Sequence, residues 1–213
     1  MAVNKKGQEI TSIWTPANIV TCVRIVFIPV FMVVSELSFS VAGNDRMLAA
    51  GLAAAAFILY VVLSLTDKVD GELARSRGEI TDFGKFLDPI ADKLLVFSAL
   101  LILLHQGFVS VWFVFIILFR EFLVSALRMV ASANGEVIAA DKLGKWKTAT
   151  TMVSLCGYLL AVAVSFFGIE SGMAAASIAL YALSYALMVI AVVLTVVSGA
   201  QYFWNARKIV FRV

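Results

Sequence analysis

Three stretches of this 213-residue chain, 47–66, 94–119 and 171–206, carry no Asp, Glu, Lys or Arg over 20, 26 and 36 consecutive positions. A helix needs about 20 apolar residues to cross the hydrocarbon of a bilayer. Strands crossing a bilayer would instead alternate polar and apolar positions, and these runs do not. Composition agrees: 62% of the residues are hydrophobic and 15% charged, where a soluble domain carries roughly 25% charged residues. The chain reads as an all-α integral membrane protein.

Six spans are expected, near 17–35, 47–66, 86–104, 108–131, 147–167 and 174–204. His105-Gln106-Gly107 makes a tight turn between the third and fourth. The glycines and serine of 168–172 suit a short loop between the fifth and sixth. Little chain lies outside the spans, so we read one transmembrane domain over 17–204, preceded by a segment 1–16 and followed by a basic tail 205–213. Ile10, Ile13 and Trp14 recur at helical spacing, which predicts a short interfacial helix before the first span. Lys5 and Lys6 are followed by no small-residue cleavage site, so no cleavable signal is expected. Cys22 and Cys156 fall inside spans and read as small packing residues.

Charge asymmetry predicts the orientation. With six spans, both termini share a side with the 2–3 and 4–5 loops, and of 17 Lys and Arg residues only Arg46 lies opposite. The positive-inside rule then places the termini and segment 66–93 in the cytoplasm.

That segment, TDKVDGELARSRGEITDFGKFLDPIADK, holds seven acidic and five basic residues. A solvated loop would show no phase relation among its acids. Here Asp67, Asp70, Gly71 and Ala74 follow i, i+3, i+4, i+7 and share one helical stripe, while Gly84, Asp88 and Asp92 step by four along a second. Residues 76–83 are polar enough to turn the chain between the two stripes, with Gly78 free for a strained position. The small residues beside the aspartates leave room for a ligand or a backbone. Carboxylates without a nearby His or Cys suit a hard divalent ion handling phosphate, Mg²⁺ or Mn²⁺, rather than zinc.

The pattern Asp67-x2-Asp70-Gly71-x2-Ala74-Arg75-x8-Gly84-x3-Asp88-x3-Asp92 resembles the signature of the CDP-alcohol phosphotransferase family, whose members displace CMP from a CDP-linked lipid by attack of an alcohol. The resemblance implies that Asp67, Asp70, Asp88 and Asp92 line a two-metal site, with Asp92 also the candidate general base. Gly71, Ala74 and Arg75 would border the cytidine and diphosphate, and Gly84 would allow close packing against the nucleotide. A homodimer and membrane-lipid partners are implied as well, and no nucleic-acid partner is expected.

The acceptor is less constrained. Arg120 and Arg128 lie on one face of the fourth span, where arginine is costly and often functional. Lys142, Lys145 and Lys147 follow in the 4–5 loop, and Asn18, Thr21 and Arg24 form a polar arc in the first span. Together these cations exceed what orientation needs, which a second anionic group on the acceptor would explain. PANIVTCVRIVFIP, FLDPIADKLLV, REFLVSALR and GKWKT are together similar to phosphatidylglycerophosphate synthases, through roughly the first five spans. Ala17 stands where many relatives have Pro. This similarity implies transfer from CDP-diacylglycerol to sn-glycerol 3-phosphate, with Arg120, Arg128, Lys145 and Lys147 on the acceptor phosphate and Thr21 and Arg24 assisting. It also implies a multi-pass protein of the bacterial inner membrane with its active site facing the cytoplasm. Inositol phosphate or phosphatidylglycerol as acceptor remains open from the residues alone. A divalent-metal transporter is the non-enzyme alternative, though it would place its acids near mid-span.

Overall fold

A computed structural model describes residues 14–77, 81–135, 142–167 and 173–210, and within them all side chains except those of 67–77, Asp82, Lys85, Lys142 and 208–210. The predicted interfacial segment before Trp14 lies outside the described residues. Those described form six helices: α1 (Pro16–Val41), α2 (Arg46–Arg77), α3 (Asp82–His105), α4 (Val111–Ala133), α5 (Lys142–Phe167) and α6 (Ala174–Val210).

Each predicted span is a helix, and the helices outrun the apolar segments. α2 continues from Thr66 to Arg77, carrying the first acidic stripe, and α6 passes Trp204 to reach Val210, taking in part of the expected tail. Loss of hydropathy marks where a helix leaves hydrocarbon, whereas the helix itself stops where its backbone groups find other partners. Side chains start four of the six. Thr15 accepts from the Asn18 amide at 3.3 Å, with Pro16 at the first helical position. Asp45 accepts from Leu48 at 2.9 Å, Thr81 from Gly84 at 3.0 Å and Ser110 from Trp112 at 3.3 Å. These are short oxygen-bearing residues that satisfy otherwise orphaned N–H groups. The predicted turn at 105–107 is present: Gly107 takes φ +80°, and its amide and that of Phe108 bond back to Leu104 and Leu103.

Four segments are long and apolar enough to cross a membrane: Pro16–Val41, Arg46–Thr66, Leu143–Phe167 and Ala174–Arg207. α3 and α4, at 24 and 23 residues, have the length to cross, about 35 Å at 1.5 Å per residue. α3 carries five charges, Asp82, Lys85, Asp88, Asp92 and Lys93, and α4 three, Arg120, Glu121 and Arg128. Large apolar side chains also face outward along the helices, among them Val26, Ile58, Phe115, Phe119, Ile178 and Val193. A surface of this kind suits lipid rather than water.

The chain divides into two compact units. One comprises α1, α2, most of α3 and the end of α5; the other comprises the end of α3, α4, most of α5 and α6. In the first, α2 buries Ala49, Ala53, Ala56, Tyr60 and Leu63 at helical spacing, and Phe31 of α1 packs on Tyr60 with ring centroids 5.5 Å apart. The alanines let backbones approach closely, which is how helices gain contact where lipid removes the hydrophobic drive. In the second unit, α5 and α6 meet through small residues. The Ser154 hydroxyl donates to the Ser184 carbonyl at 2.7 Å, and Gly157 leaves no room for a Cβ against the Ser184 side chain.

This contact gives a stability prediction. Gly157→Val should force α5 from α6 and lower the thermal midpoint in detergent by an amount equivalent to about 2 kcal/mol, the usual cost of overpacking. Gly51→Ala, with open space around its Cβ position, should leave the midpoint unchanged in the same differential-scanning measurement.

Candidate active site

The polar arc of α1 faces the acidic start of α3, residue by residue. Asn18, Thr21 and Arg24 are all buried. The Asn18 amide donates to Thr81 Oγ1 at 2.7 Å, the Thr21 hydroxyl to Asp88 Oδ1 at 3.1 Å, and Arg24 Nη1 to Asp92 Oδ1 at 3.1 Å. Steps of three on one helix thus meet steps of about four on the other, because both spacings keep residues on one helical face. Gly84 belongs to this seam: a Cβ there would sit 2.5 Å from Asn18 Oδ1. The small residue that the sequence reserves for close approach is therefore filled, on this side, by an α1 side chain.

Arg24 is the most constrained group of the seam. Its side chain is 1% exposed, while that of its partner Asp92 is 48% exposed. A guanidinium that deep needs both an opposite charge and further acceptors, since leaving it unpaired would cost several kcal/mol. The second acceptor is Thr66 Oγ1, 3.3 Å from Nε, whose own hydroxyl donates to the Leu63 carbonyl at 2.8 Å. Thr66 immediately precedes Asp67, so one guanidinium ties the acid-bearing part of α3 to the point where the acidic stripe of α2 begins. Within α3, Pro89 stands between the two aspartates. It removes an amide donor, and so leaves the Lys85 carbonyl without its helical partner at this end.

Asp67, Asp70, Gly71, Ala74 and Arg75 all lie on α2, so the backbone carries their expected register; their side chains lie outside the described residues. Among the described residues no three His, Cys, Asp or Glu side chains converge as a metal-binding group. Asp88 is exposed and Asp92 half-buried, leaving accessible carboxylate oxygens one helical turn apart. These are hard oxygen donors of the type that Mg²⁺ or Mn²⁺ takes, and the residues present fit such an ion.

The expected acceptor cations fall in the other unit. Arg120 Nη2 donates to Ser198 Oγ and Nη1 to Glu121 Oε1, each at 3.3 Å. Lys147, buried, donates through Nζ to that same Glu121 oxygen. Arg128 Nε donates to the Tyr202 hydroxyl at 3.1 Å, and its guanidinium carbon lies 5.6 Å from the ring centroid. Arg120 and Arg128 thus share the face of α4 that meets α6, as their spacing requires. Lys145 is exposed and has no described role in this network. Thr21 and Arg24, expected to assist at the acceptor, hydrogen-bond to Asp88 and Asp92 of the first unit. The sequence reading missed Glu121, Ser198, Tyr202 and Thr66. Glu121 was recoverable in principle, as the one acidic residue of a helix long enough to cross a membrane; the others are unremarkable in sequence and matter only through what they touch.

Comparison with known proteins identifies the family. The model of the CDP-alcohol phosphatidyltransferase family matches residues 14–197. A Bacillus subtilis protein named CDP-diacylglycerol–glycerol-3-phosphate 3-phosphatidyltransferase is 41% identical over 204 residues, spanning 90% of this chain and 96% of its own. A Rickettsia bellii protein of the same name is 35% identical over 191 residues, spanning 90% of this chain and 94% of its own. A Mycobacterium tuberculosis protein named probable phosphatidylglycerophosphate synthase is 36% identical over 193 residues, spanning 90% and 81% respectively. With the family model covering most of its length and its acidic signature placed on α2 and α3, this chain belongs to the CDP-alcohol phosphatidyltransferase family.

Proposed function

We propose that this protein transfers the phosphatidyl group of CDP-diacylglycerol to sn-glycerol 3-phosphate, giving phosphatidylglycerol phosphate and CMP. The observation that carries the reading is the buried Arg24–Asp92 pair, which holds the last aspartate of the family signature in a fixed position with its carboxylate half open. Family membership and the names of the relatives support the donor and the acceptor.

In this reading the signature carboxylates serve the donor, and Arg120, Arg128, Lys145 and Lys147 serve the acceptor. Asp67, Asp70, Asp88 and Asp92 would hold two divalent ions, Mg²⁺ or Mn²⁺. Such ions, when bound, neutralise charge on the diphosphate and on the departing CMP. Gly71, Ala74, Arg75 and Gly84 border the CDP headgroup. Asp92 accepts the proton of the acceptor hydroxyl. The hydroxyl oxygen forms a bond to the phosphorus esterified to diacylglycerol, and the bridging P–O bond breaks with its electron pair leaving on CMP. Thr21 orients Asp88 by its hydrogen bond, and Arg24 holds Asp92. Arg120, Arg128, Lys145 and Lys147 receive the acceptor phosphate.

The same reading takes α3 and α4 as membrane spans. On α3 the charges gather in its first half, leaving an apolar second half, while on α4 Arg120 and Glu121 lie at the middle, paired with each other, and Glu121 also with Lys147. The signature acids of α3 lie in its first half, whereas a transporter would place its acids mid-span. The positive-inside bias supports cytoplasmic termini and a cytoplasmic active site in a bacterial inner membrane. Homodimerisation enters from the resemblance.

Purified protein in detergent with Mg²⁺ or Mn²⁺ should release CMP from CDP-diacylglycerol fastest with glycerol 3-phosphate; inositol phosphate, serine and phosphatidylglycerol are compared in parallel. Faster turnover with any of these reassigns the acceptor, and undiminished release in EDTA overturns the metal reading. Asp92→Asn should lower kcat by about a thousandfold, within the range for loss of a general base. Arg24→Lys keeps the charge but not the fork, and should lower kcat with the KM for glycerol 3-phosphate unchanged. A rise in that KM alone would return Arg24 to the acceptor. Arg128→Ala should raise the KM for glycerol 3-phosphate about tenfold, as loss of a charged hydrogen bond does, and leave that for CDP-diacylglycerol unaltered.

A further inference from the structure

We infer that Tyr202 is a positioning residue for the acceptor: its buried phenol holds the exposed guanidinium of Arg128 by Nε and leaves the Nη1–Nη2 edge for the acceptor phosphate. This role rests on the acceptor reading of Arg128 given above and extends it to α6, a helix outside the family signature.

Arg128 is exposed in the last turns of α4, where a long side chain ordinarily samples many rotamers. Its Nε donates to the Tyr202 hydroxyl at 3.1 Å, and its guanidinium carbon stands 5.6 Å from the Tyr202 ring centroid. Tyr202 in turn is fixed by packing: it is 3% exposed and shares a core with Val124, Leu127 and Ala206, with Leu123 packed against them. Val124 and Leu127 precede Arg128 by one turn and one position on α4, so the helix that carries the cation also helps to hold the ring. A second contact repeats the pattern. Ser198, buried and one turn before Tyr202 on α6, accepts from Arg120 Nη2 at 3.3 Å. One face of α6 thus presents an oxygen acceptor to each arginine of α4.

The choice of nitrogen matters. A guanidinium offers paired N–H groups along two kinds of edge, Nε with one Nη and Nη1 with Nη2, and either can grip a phosphate bidentately. A hydrogen bond from Nε takes up the first and leaves the second. Among the described residues the bond to Tyr202 is the one hydrogen bond of Arg128, so both Nη nitrogens keep their donors. A loose arginine loses its rotamer freedom as it closes on a ligand, whereas one already ordered by a rigid phenol has lost part of it beforehand. Tyr202 therefore strengthens acceptor binding without touching the acceptor. Its effect belongs to the KM of the acceptor and not to the displacement at phosphorus.

The test is steady-state kinetics of the purified full-length protein in detergent, with glycerol 3-phosphate and CDP-diacylglycerol varied in turn. Tyr202→Phe keeps the ring and its packing and removes only the hydroxyl. It should raise the KM for glycerol 3-phosphate about threefold, the scale of ordering one long side chain, with kcat and the KM for CDP-diacylglycerol unchanged. An unchanged KM for glycerol 3-phosphate, or a loss confined to kcat or to the thermal midpoint, overturns the positioning role and makes the contact purely structural. In the Arg128→Ala background the same substitution should add nothing, because the group that Tyr202 positions is gone. A further rise of similar size there also overturns the role, since Tyr202 would then act on the acceptor by some route other than Arg128. Arg128→Ala by itself separates the underlying reading. If it leaves the KM for glycerol 3-phosphate at the wild-type value, Arg128 is not at the acceptor and that reading fails; if it raises this KM while Tyr202→Phe does not, only the positioning role falls.

Discussion

A guanidinium removed from water must be met by a carboxylate and by enough acceptors to fill its fork, and Arg24 meets that demand with Asp92 and Thr66. The cost of breaking such a pair is much larger than its net contribution to stability, because the surviving charge remains buried. The pair therefore acts less as glue than as a constraint on geometry. It fixes α1 against the start of α3 and brings the end of the α2 span into the same contact. Asn18 with Thr81 and Thr21 with Asp88 then repeat the contact along the seam. The pair is also asymmetric: the cation is inaccessible, while the carboxylate is held with part of its surface open.

The second unit solves a similar problem differently. Its cations are more numerous than its acids, and Glu121 is shared between Arg120 and Lys147 rather than paired with one of them. Arg128 leans on Tyr202, combining a hydrogen bond with the face of a ring, which lowers the cost of a cation without neutralising it. Among the described residues, the first unit sets the buried Arg24 against Asp92, and the second sets Glu121 between Arg120 and Lys147.

Around both sits a surface that only lipid tolerates. Helix contacts in such a protein gain little from hydrophobic burial, so they depend on close approach of small residues and on hydrogen bonds between polar ones. Gly84 against Asn18, Gly157 against Ser184 and Gly199 against Arg120 are three instances. In two of them the residue that fills the glycine's space belongs to a charged or polar network, so packing and site geometry are not separable here.

The helices and their order were legible from the sequence, because charge-free runs long enough to span a bilayer have few other solutions. The acidic stripes were legible for the same kind of reason: steps of three and four on a helix have one geometric meaning, and α2 does continue as a helix through Asp67, Asp70 and Arg75. What residue spacing does not carry is partnership. Thr21 and Arg24 are cations and hydroxyls that could equally serve a phosphate or a carboxylate, and only the juxtaposition of α1 with α3 chose Asp88 and Asp92. Glu121 matters because Arg120 and Lys147, 27 positions apart in the chain, meet on its one oxygen, which spacing alone does not reveal. Sequence by itself determined which faces are polar and which residues lie in phase, since those follow from the helical repeat. Tertiary structure decided which charge meets which, since that depends on how helices far apart in the chain are brought side by side.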